Sequence, residues 1–264
     1  MIKKTELQEQ NGVCYYTPKS EPYFNMAFDD WLFEEIQTNV RFPRAIFRLY
    51  TWDRPSITVG YNQNIEKVID FDYLDKSVPI IKRITGGRAI YHDETEITFS
   101  LTVDLAIFPE SDRSLSKTNQ LISEVVVQTL EAVGVASEWK KKSDSSFGSS
   151  KDESAKSCFN SYSRYEIFSH KGKIVAGAQR RKGDYFIHQG SLKINGISEC
   201  LAIGQKNQSE SEPHGKDGTN SYKYTIDQFR NLFPKAFSDR LKVKLTEQSV
   251  DSEFHRKIRL FEEK

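Results

Sequence analysis

Between Ala45 and Val103 the chain strings together five short runs rich in β-branched and aromatic residues: Ala45 to Tyr50 (AIFRLY), Ser56 to Gly60 (SITVG), Pro79 to Ile84 (PIIKRI), Arg88 to His92 (RAIYH) and Glu96 to Val103 (EITFSLTV). Turn residues separate them, so this half of the chain predicts a mixed sheet. Two segments predict helices that cover it. Asn25 to about Gln37 carries Phe28, Leu32 and Ile36 at i+4 spacing, with Asn25 placed to cap and Asp29 and Asp30 in the early turns. Ser114 to Val133 carries Leu115, Ile122, Val126, Leu130 and Val133, with Gly134 as a stop signal. Further on, Tyr165 to His170, Lys173 to Arg181 and Tyr185 to Ile194 read as two consecutive hairpins. Thr225 opens a helical pattern through Phe229, Leu232 and Phe233 that Pro234 is expected to end or kink. The last 40 residues are expected to add one helix and one strand.

A chain of 264 residues buries a sizeable core without staples, as one large domain or one with a small appendage. Its 38 Lys and Arg nearly cancel 37 Asp and Glu, so no global positive field argues for nucleic acid or an anionic membrane. Met1 to Gly12 has no apolar run behind its lysines, and nowhere do about 18 apolar residues run together. No signal peptide or membrane span is expected, and the expected location is cytoplasmic. Cys14, Cys158 and Cys200 are too few and too scattered for a disulfide framework or a zinc site, and no metal is expected. From Trp139 to Ser157 the composition turns to Ser, Lys and Asp, which predicts a mobile loop; Gln205 to Asn220 is a second polar stretch.

Three constellations carry candidate chemistry. Around Gly86 and Gly87, flanked by Arg83 and Arg88, backbone N–H groups and guanidinium would suit a carboxylate, phosphate or acyl carbonyl. A plain hairpin with a glycine turn reads as well. Cys158 follows the polar stretch with Lys156, Arg164 and Lys173 near it in sequence, and neighbouring cations turn a thiol into a nucleophile. A lone cysteine is more commonly a small buried hydrophobe, the reading kept for Cys14 and Cys200. In Lys173 to Gln179 the alternate residues Lys173, Val175, Gly177 and Gln179 share a strand face, so Gly177 leaves room for a ligand between lysine and glutamine. The lysine would stabilise an oxyanion or bind an anion, or simply be solvated. His92 and His188 are candidates for acid–base work, though core and surface histidines are commoner. No P-loop, dinucleotide fingerprint, HExxH or nucleophile-elbow serine is present.

Taken in order, these pieces resemble the lipoate-protein ligase, octanoyltransferase and biotin ligase superfamily, over roughly Tyr23 to Gly204. Asn25 to Asp29 resembles its opening helix; Arg48 to Trp52 followed by Ser56 to Gln63 resembles its first strand pair; RITGGRAIYHD resembles its acyl-binding loop. Lys173 falls on the lysine that holds the acyl carbonyl, and Gln189-Gly190-Ser191 falls near the His-Gly-Ser/Thr strand. Cys158-Phe159-Asn160-Ser161-Tyr162-Ser163-Arg164-Tyr165-Glu166 matches, position by position, the Cys-Phe-x-x-x-Ser-x-Tyr-Glu stretch of Gram-positive-type octanoyltransferases. Two departures stand out. His188 sits one place before the usual position and so on the opposite strand face, and Ala176-Gly177-Ala178 replaces Gly-Ser-Ala.

The resemblance implies an α/β fold, mixed β-sheets flanked by helices like a biotin/lipoate protein ligase catalytic domain. That domain is expected at 23–204, with a polar insertion at about 140–157, an N-terminal segment at 1–22 and a polar linker and short extension at 205–264. It implies Cys158 and Lys173 as catalytic residues and Arg83, Thr85, Gly86, Gly87, Arg88, Ala89, His92, Gly177, Gln179 and Gly190 as substrate-binding residues. The implied reaction passes an octanoyl group from acyl carrier protein through a cysteine thioester to a lysine of a lipoyl domain of 2-oxoacid dehydrogenases or of glycine-cleavage H protein, without cofactor. An ATP- and Mg-dependent lipoate-protein ligase, with Cys158 incidental, and an inactive acyl- or carrier-binding paralogue are the alternatives.

Overall fold

The computed structural model describes residues 10–140, 166–170, 172–196, 200–203 and 224–262. Cys158, nearly all of the expected insertion and the stretch 205–220 lie outside the described residues.

The strands are β1 (Gln10–Ser20), β2 (Ala45–Trp52), β3 (Ser56–Val59), β4 (Ile80–Lys82), β5 (Ile90–His92), β6 (Ile97–Asp104), β7 (Glu138–Lys140), β8 (Glu166–Ser169), β9 (Gly172–Lys182), β10 (Tyr185–Leu192) and β11 (Val243–Gln248). The helices are α1 (Pro22–Thr38), α2 (Ile65–Val68), α3 (Leu115–Ala132), α4 (Ile226–Arg230), α5 (Leu232–Leu241) and α6 (Ser252–Glu262). An eight-stranded mixed sheet runs β11-β1-β2-β6-β10-β9-β8-β7, and a separate three-stranded sheet runs β4-β3-β5. β1 is parallel to both of its neighbours, while the pairs from β2 through β7 are antiparallel.

The mixed α/β architecture follows the sequence pattern, with five differences of detail. The five early runs do not share one sheet: β2 and β6 join the large one and β3 to β5 form the small one. Alternation marks a strand but not its partner. The Gly86-Gly87 turn is not a hairpin, because β4 and β5 flank β3 rather than each other. The cap of α1 is Glu21, whose carboxylate accepts from Phe24 N at 2.9 Å, with Pro22 opening the helix; Asn25 is buried inside it. Pro234 neither ends nor kinks a helix: it is the third residue of α5, where its missing N–H would have had no helical partner, and the break falls at Asn231. The residues after Thr225 therefore form three helices and one strand, not one of each.

Helices cover both faces of the large sheet. On one face α1 and α6 pack Phe28, Trp31, Leu32 and Ile258 against Tyr15, Ile46 and Ile187. On the other, α3, α4 and α5 cover Phe47, Phe99, Leu101 and Phe186, and Phe47, Phe99, Phe233 and Phe237 stack with ring centroids 5.2 to 6.2 Å apart. Each fully buried Phe contributes about 1.5–3 kcal/mol, so this aromatic layer is a main source of stability. Among the described residues no helix is long and apolar enough to cross a membrane.

Candidate functional site

β8 pairs with β9 only as far as Val175, so from Ala176 onward β9 has β10 on one side and, among the described residues, no strand on the other. Residues 83–89 lie beside that stretch. Arg180 of β9 donates to Ile84 O at 3.2 Å and lies 4.1 Å over the ring of Tyr61. Arg83 is buried, and its guanidinium donates to Thr58 O (3.1 Å), Gly86 O (2.6 Å) and Arg88 O (2.8 Å). Its fork therefore fixes the loop's own carbonyls and sets the loop's shape before any ligand arrives.

The loop is also tied to α1 by a buried polar chain. Thr85 Oγ1 donates to Gln189 Oε1 at 2.6 Å, and Gln189 Nε2 donates to Asp29 Oδ2 at 2.7 Å. Asp29 also accepts from Tyr50 OH (3.0 Å), Ser100 Oγ (2.7 Å) and Arg48 (3.1 Å). Arg48 donates further to Asn25 O at 2.8 Å and to Thr17 Oγ1, and its guanidinium lies 4.5 Å from the Phe28 ring and 4.0 Å from the Tyr50 ring. Both side chains are fully buried.

A second cluster holds the loop from the other side. His92 Nδ1 is 2.7 Å from Glu96 Oε1, and His92 Nε2 is 2.7 Å from Thr58 Oγ1, which accepts from Arg83 at 3.1 Å. A neutral imidazole that donates to Glu96 and accepts from Thr58 satisfies every group. Burial lowers the basicity of His92, against the opposing pull of Glu96. Burial would raise the Glu96 carboxyl, but His92 and Lys193, whose Nζ is 2.8 Å from Oε2, hold it below the usual range. Trp52 stacks on His92 at 4.0 Å and donates to Thr98.

Two cavities open where these parts meet. A narrow apolar slot of about 40 Å³ is lined by Met26, Tyr50, Trp52, Thr58, Arg83, Ile90, His92, Thr98, Ala176, Gln189, Gly190 and Ser191. A wider cavity of about 250 Å³ is lined by Gly86, Phe99, Leu115, Asn119, Ile122, Ser123, Val126, Glu166, Ile167, Val175, Gln179 and His188. Gly87, Gly177 and Ala178 line both. Gly177 is small because a Cβ there would lie 2.6 Å from His188 Nε2. Lys173 is buried, with its Nζ 2.5 Å from Glu166 Oε1 in the wall of the wider cavity.

Of the residues singled out in the sequence, Arg83, Gly86, Gly87, His92, Gly177, Gln179 and Gly190 line one or both cavities, and Lys173 reaches the wider one through Glu166. Thr85 acts through Gln189, Ala89 is buried in the small cluster under β3, and half-buried Arg88 lines neither cavity. His188 faces the wider cavity while Gln189 faces the slot, the opposite-face arrangement their spacing implies. Cys14 is buried, and burial pushes its thiol up to about 11. Sequence reasoning missed Asp29, Arg48 and Gln189 as one unit, because their partners are distant in the chain. The available signal was a charged residue inside an apolar pattern: Asp29 in the α1 core face and Arg48 in the middle of AIFRLY.

The family described as lipoyl protein ligase A/B catalytic domain matches residues 21–246. The octanoyltransferase LipM of Carboxydothermus hydrogenoformans is 29% identical over 234 residues, covering 83% of this chain and 82% of that protein. The octanoyltransferase LipM of Kyrpidia tusciae is 30% identical over 187 residues, covering 70% of this chain and 67% of that protein. A crystal structure of lipoate-protein ligase A bound with ATP has the same fold, with a TM-score of 0.67 at 19% identity over 97% of this chain and 95% of that one. So has a bi-partite lipoate protein ligase from Thermoplasma acidophilum, studied with its E2 lipoyl domain, with a TM-score of 0.67 at 18% identity over 97% of this chain and 93% of that one.

Proposed function

We propose that this chain, which belongs to the lipoyl protein ligase A/B catalytic domain family and is an octanoyltransferase of lipoate biosynthesis, moves its acyl group in two steps through the thiol of Cys158. The donor is octanoyl-acyl carrier protein. The acceptor is a lysine of a lipoyl carrier domain, that of a 2-oxoacid dehydrogenase or the glycine-cleavage H protein.

The observation that carries this reading is the place of Glu166. It ends the Cys158-to-Glu166 motif, lines the wider cavity and holds Lys173 at 2.5 Å. The apolar slot takes methylenes of the acyl chain, and the carbonyl stays where slot and cavity meet, at Gly87, Gly177 and Ala178. In the first step the Cys158 thiolate attacks the donor thioester; its C–S bond breaks, the carrier thiolate leaves, and an octanoyl-cysteine thioester forms. In the second, the acceptor ε-amine attacks that thioester, Cys158 leaves as thiolate, and the amine loses its proton as the amide forms. Lys173 supplies the positive charge opposite the oxyanion in both steps. Thioester exchange followed by amide formation runs downhill, so the reaction needs neither ATP nor magnesium. A free nucleophilic thiol suits the reducing cytoplasm.

The test is intact mass after mixing the protein with octanoyl carrier protein, without ATP or magnesium. Wild type gains one octanoyl group and Cys158→Ala gains none. Carrier-domain acylation that appears only with lipoate and Mg-ATP would instead assign ligase chemistry.

A further inference from the structure

The wider cavity offers more than a thioester carbonyl requires, and its wall has a pattern of its own. Gln179 stands opposite His188 in the β9–β10 register, and both line the cavity. Among the described residues, Gln179 Nε2 and His188 Nδ1 are shut from solvent and meet no hydrogen-bond partner, and His188 is only 8% exposed. A buried polar atom left unpaired is costly, and a ligand carrying its own donors and acceptors relieves that cost. From the other side α3 presents Asn119 and Ser123, one helical turn apart on the same face, among Leu115, Ile122 and Val126. Amide and hydroxyl groups thus alternate with apolar ones. Glu166 is the one charged residue among the described lining residues, and its ion pair with Lys173 leaves that wall without a net charge.

We propose that the wider cavity receives the arm of the acyl donor, a pantetheine-type thiol chain with two secondary amides spaced by methylenes. Asn119 and Ser123 grip it from α3, with Gln179 and His188 from the sheet. This rests on the acyl-transfer reading above. When the donor C–S bond breaks and the bond from Cys158 Sγ to the acyl carbon forms, the arm leaves as thiolate and takes up the proton that Cys158 released.

The experiment follows acyl-enzyme formation by quenched intact mass with two donors of the same acyl group. Octanoyl-pantetheine carries the amides and S-octanoyl-2-mercaptoethanol carries none. Two amide contacts, at about 0.5–1.5 kcal/mol each, predict that wild type prefers the first donor by about five- to 150-fold in kcat/KM. Asn119→Ala/Ser123→Ala shrinks that preference severalfold or more. Because Ser123 is buried, Asn119→Ala alone is the second variant, and it shrinks the ratio less. Equal rates for the two donors in wild type, or a ratio unchanged in both variants while the two rates fall together, would overturn the arm site and leave the transferase reading standing. Inhibition by ATP that competes with octanoyl-pantetheine would give the cavity to a nucleotide and overturn it too. No adduct from either donor in wild type sinks the transferase reading, and the arm site with it.

Discussion

The two buried polar clusters grip the same loop in different ways. The Asp29–Arg48 cluster spans α1, β2, β6 and β10 and reaches the loop through Gln189 and Thr85. Its charges are one carboxylate and one guanidinium, and a guanidinium cannot give up its proton. The Glu96–Lys193 cluster is joined through His92, four residues before Glu96, and reaches the loop through Thr58 and Arg83. It contains an imidazole that can take up a proton. One cluster is therefore electrically rigid and the other can adjust, although both impose the loop geometry.

Substituting the cation of each cluster probes that difference, with the largest expected effect. Arg48→Met leaves Asp29 as an unpaired buried anion and costs about 3–5 kcal/mol in urea unfolding. Lys193→Met costs less, because His92 can protonate beside Glu96. Removing Lys193 takes away one of the charges that lower the His92 value, so the variant's imidazole keeps its proton to higher pH than the wild type's. The penalty of Lys193→Met should thus grow as pH rises through that interval, whereas that of Arg48→Met stays flat. Equal, flat penalties would erase the distinction.

His188 sharpens the comparison by supplying an imidazole without a carboxylate. Burial lowers its value from 6.5 to about 4, so the unfolded chain binds the extra proton between those pH values and acid destabilises the fold. At about 1.4 kcal/mol per pH unit this amounts to about 3 kcal/mol by pH 4. Asp30 acts in the opposite sense, since burial and Asp29 push its carboxyl up to about 7. The difference in unfolding free energy between wild type and His188→Leu across pH 4 to 7 isolates the histidine. A constant difference would show that folding does not change how readily His188 takes up a proton. The smallest effect belongs to Thr85→Val, which cuts the rigid cluster from the loop and leaves Gln189 Oε1 short of a donor. About 1–2 kcal/mol of stability and about a tenfold fall in kcat/KM are expected from the loosened loop.

Most of the strands and long helices were legible because period and turn residues report them directly. What was illegible is which strands pair, since β3 and β6 carry similar alternation yet belong to different sheets. The glycine loop was recognisable by its residues, but the role of Arg83 was not. Sequence suggested a guanidinium for a ligand, and folding turns it onto the carbonyls of Gly86 and Arg88. The Thr85–Gln189–Asp29 chain joins residues 104 and 160 positions apart, beyond any local pattern. Glu166 was visible as a motif residue, but only its contact with Lys173 gives it a part in the chemistry.

The parallel pairing of β1 with both β2 and β11 has a consequence for how the molecule is made. During synthesis β1 and β2 emerge early, but the other edge of β1 stays bare until Val243–Gln248 has left the ribosome. Until then it is an open template for another chain. A product truncated before Val243 keeps most of the site and still exposes that edge, so such fragments should self-associate rather than accumulate as inactive monomers.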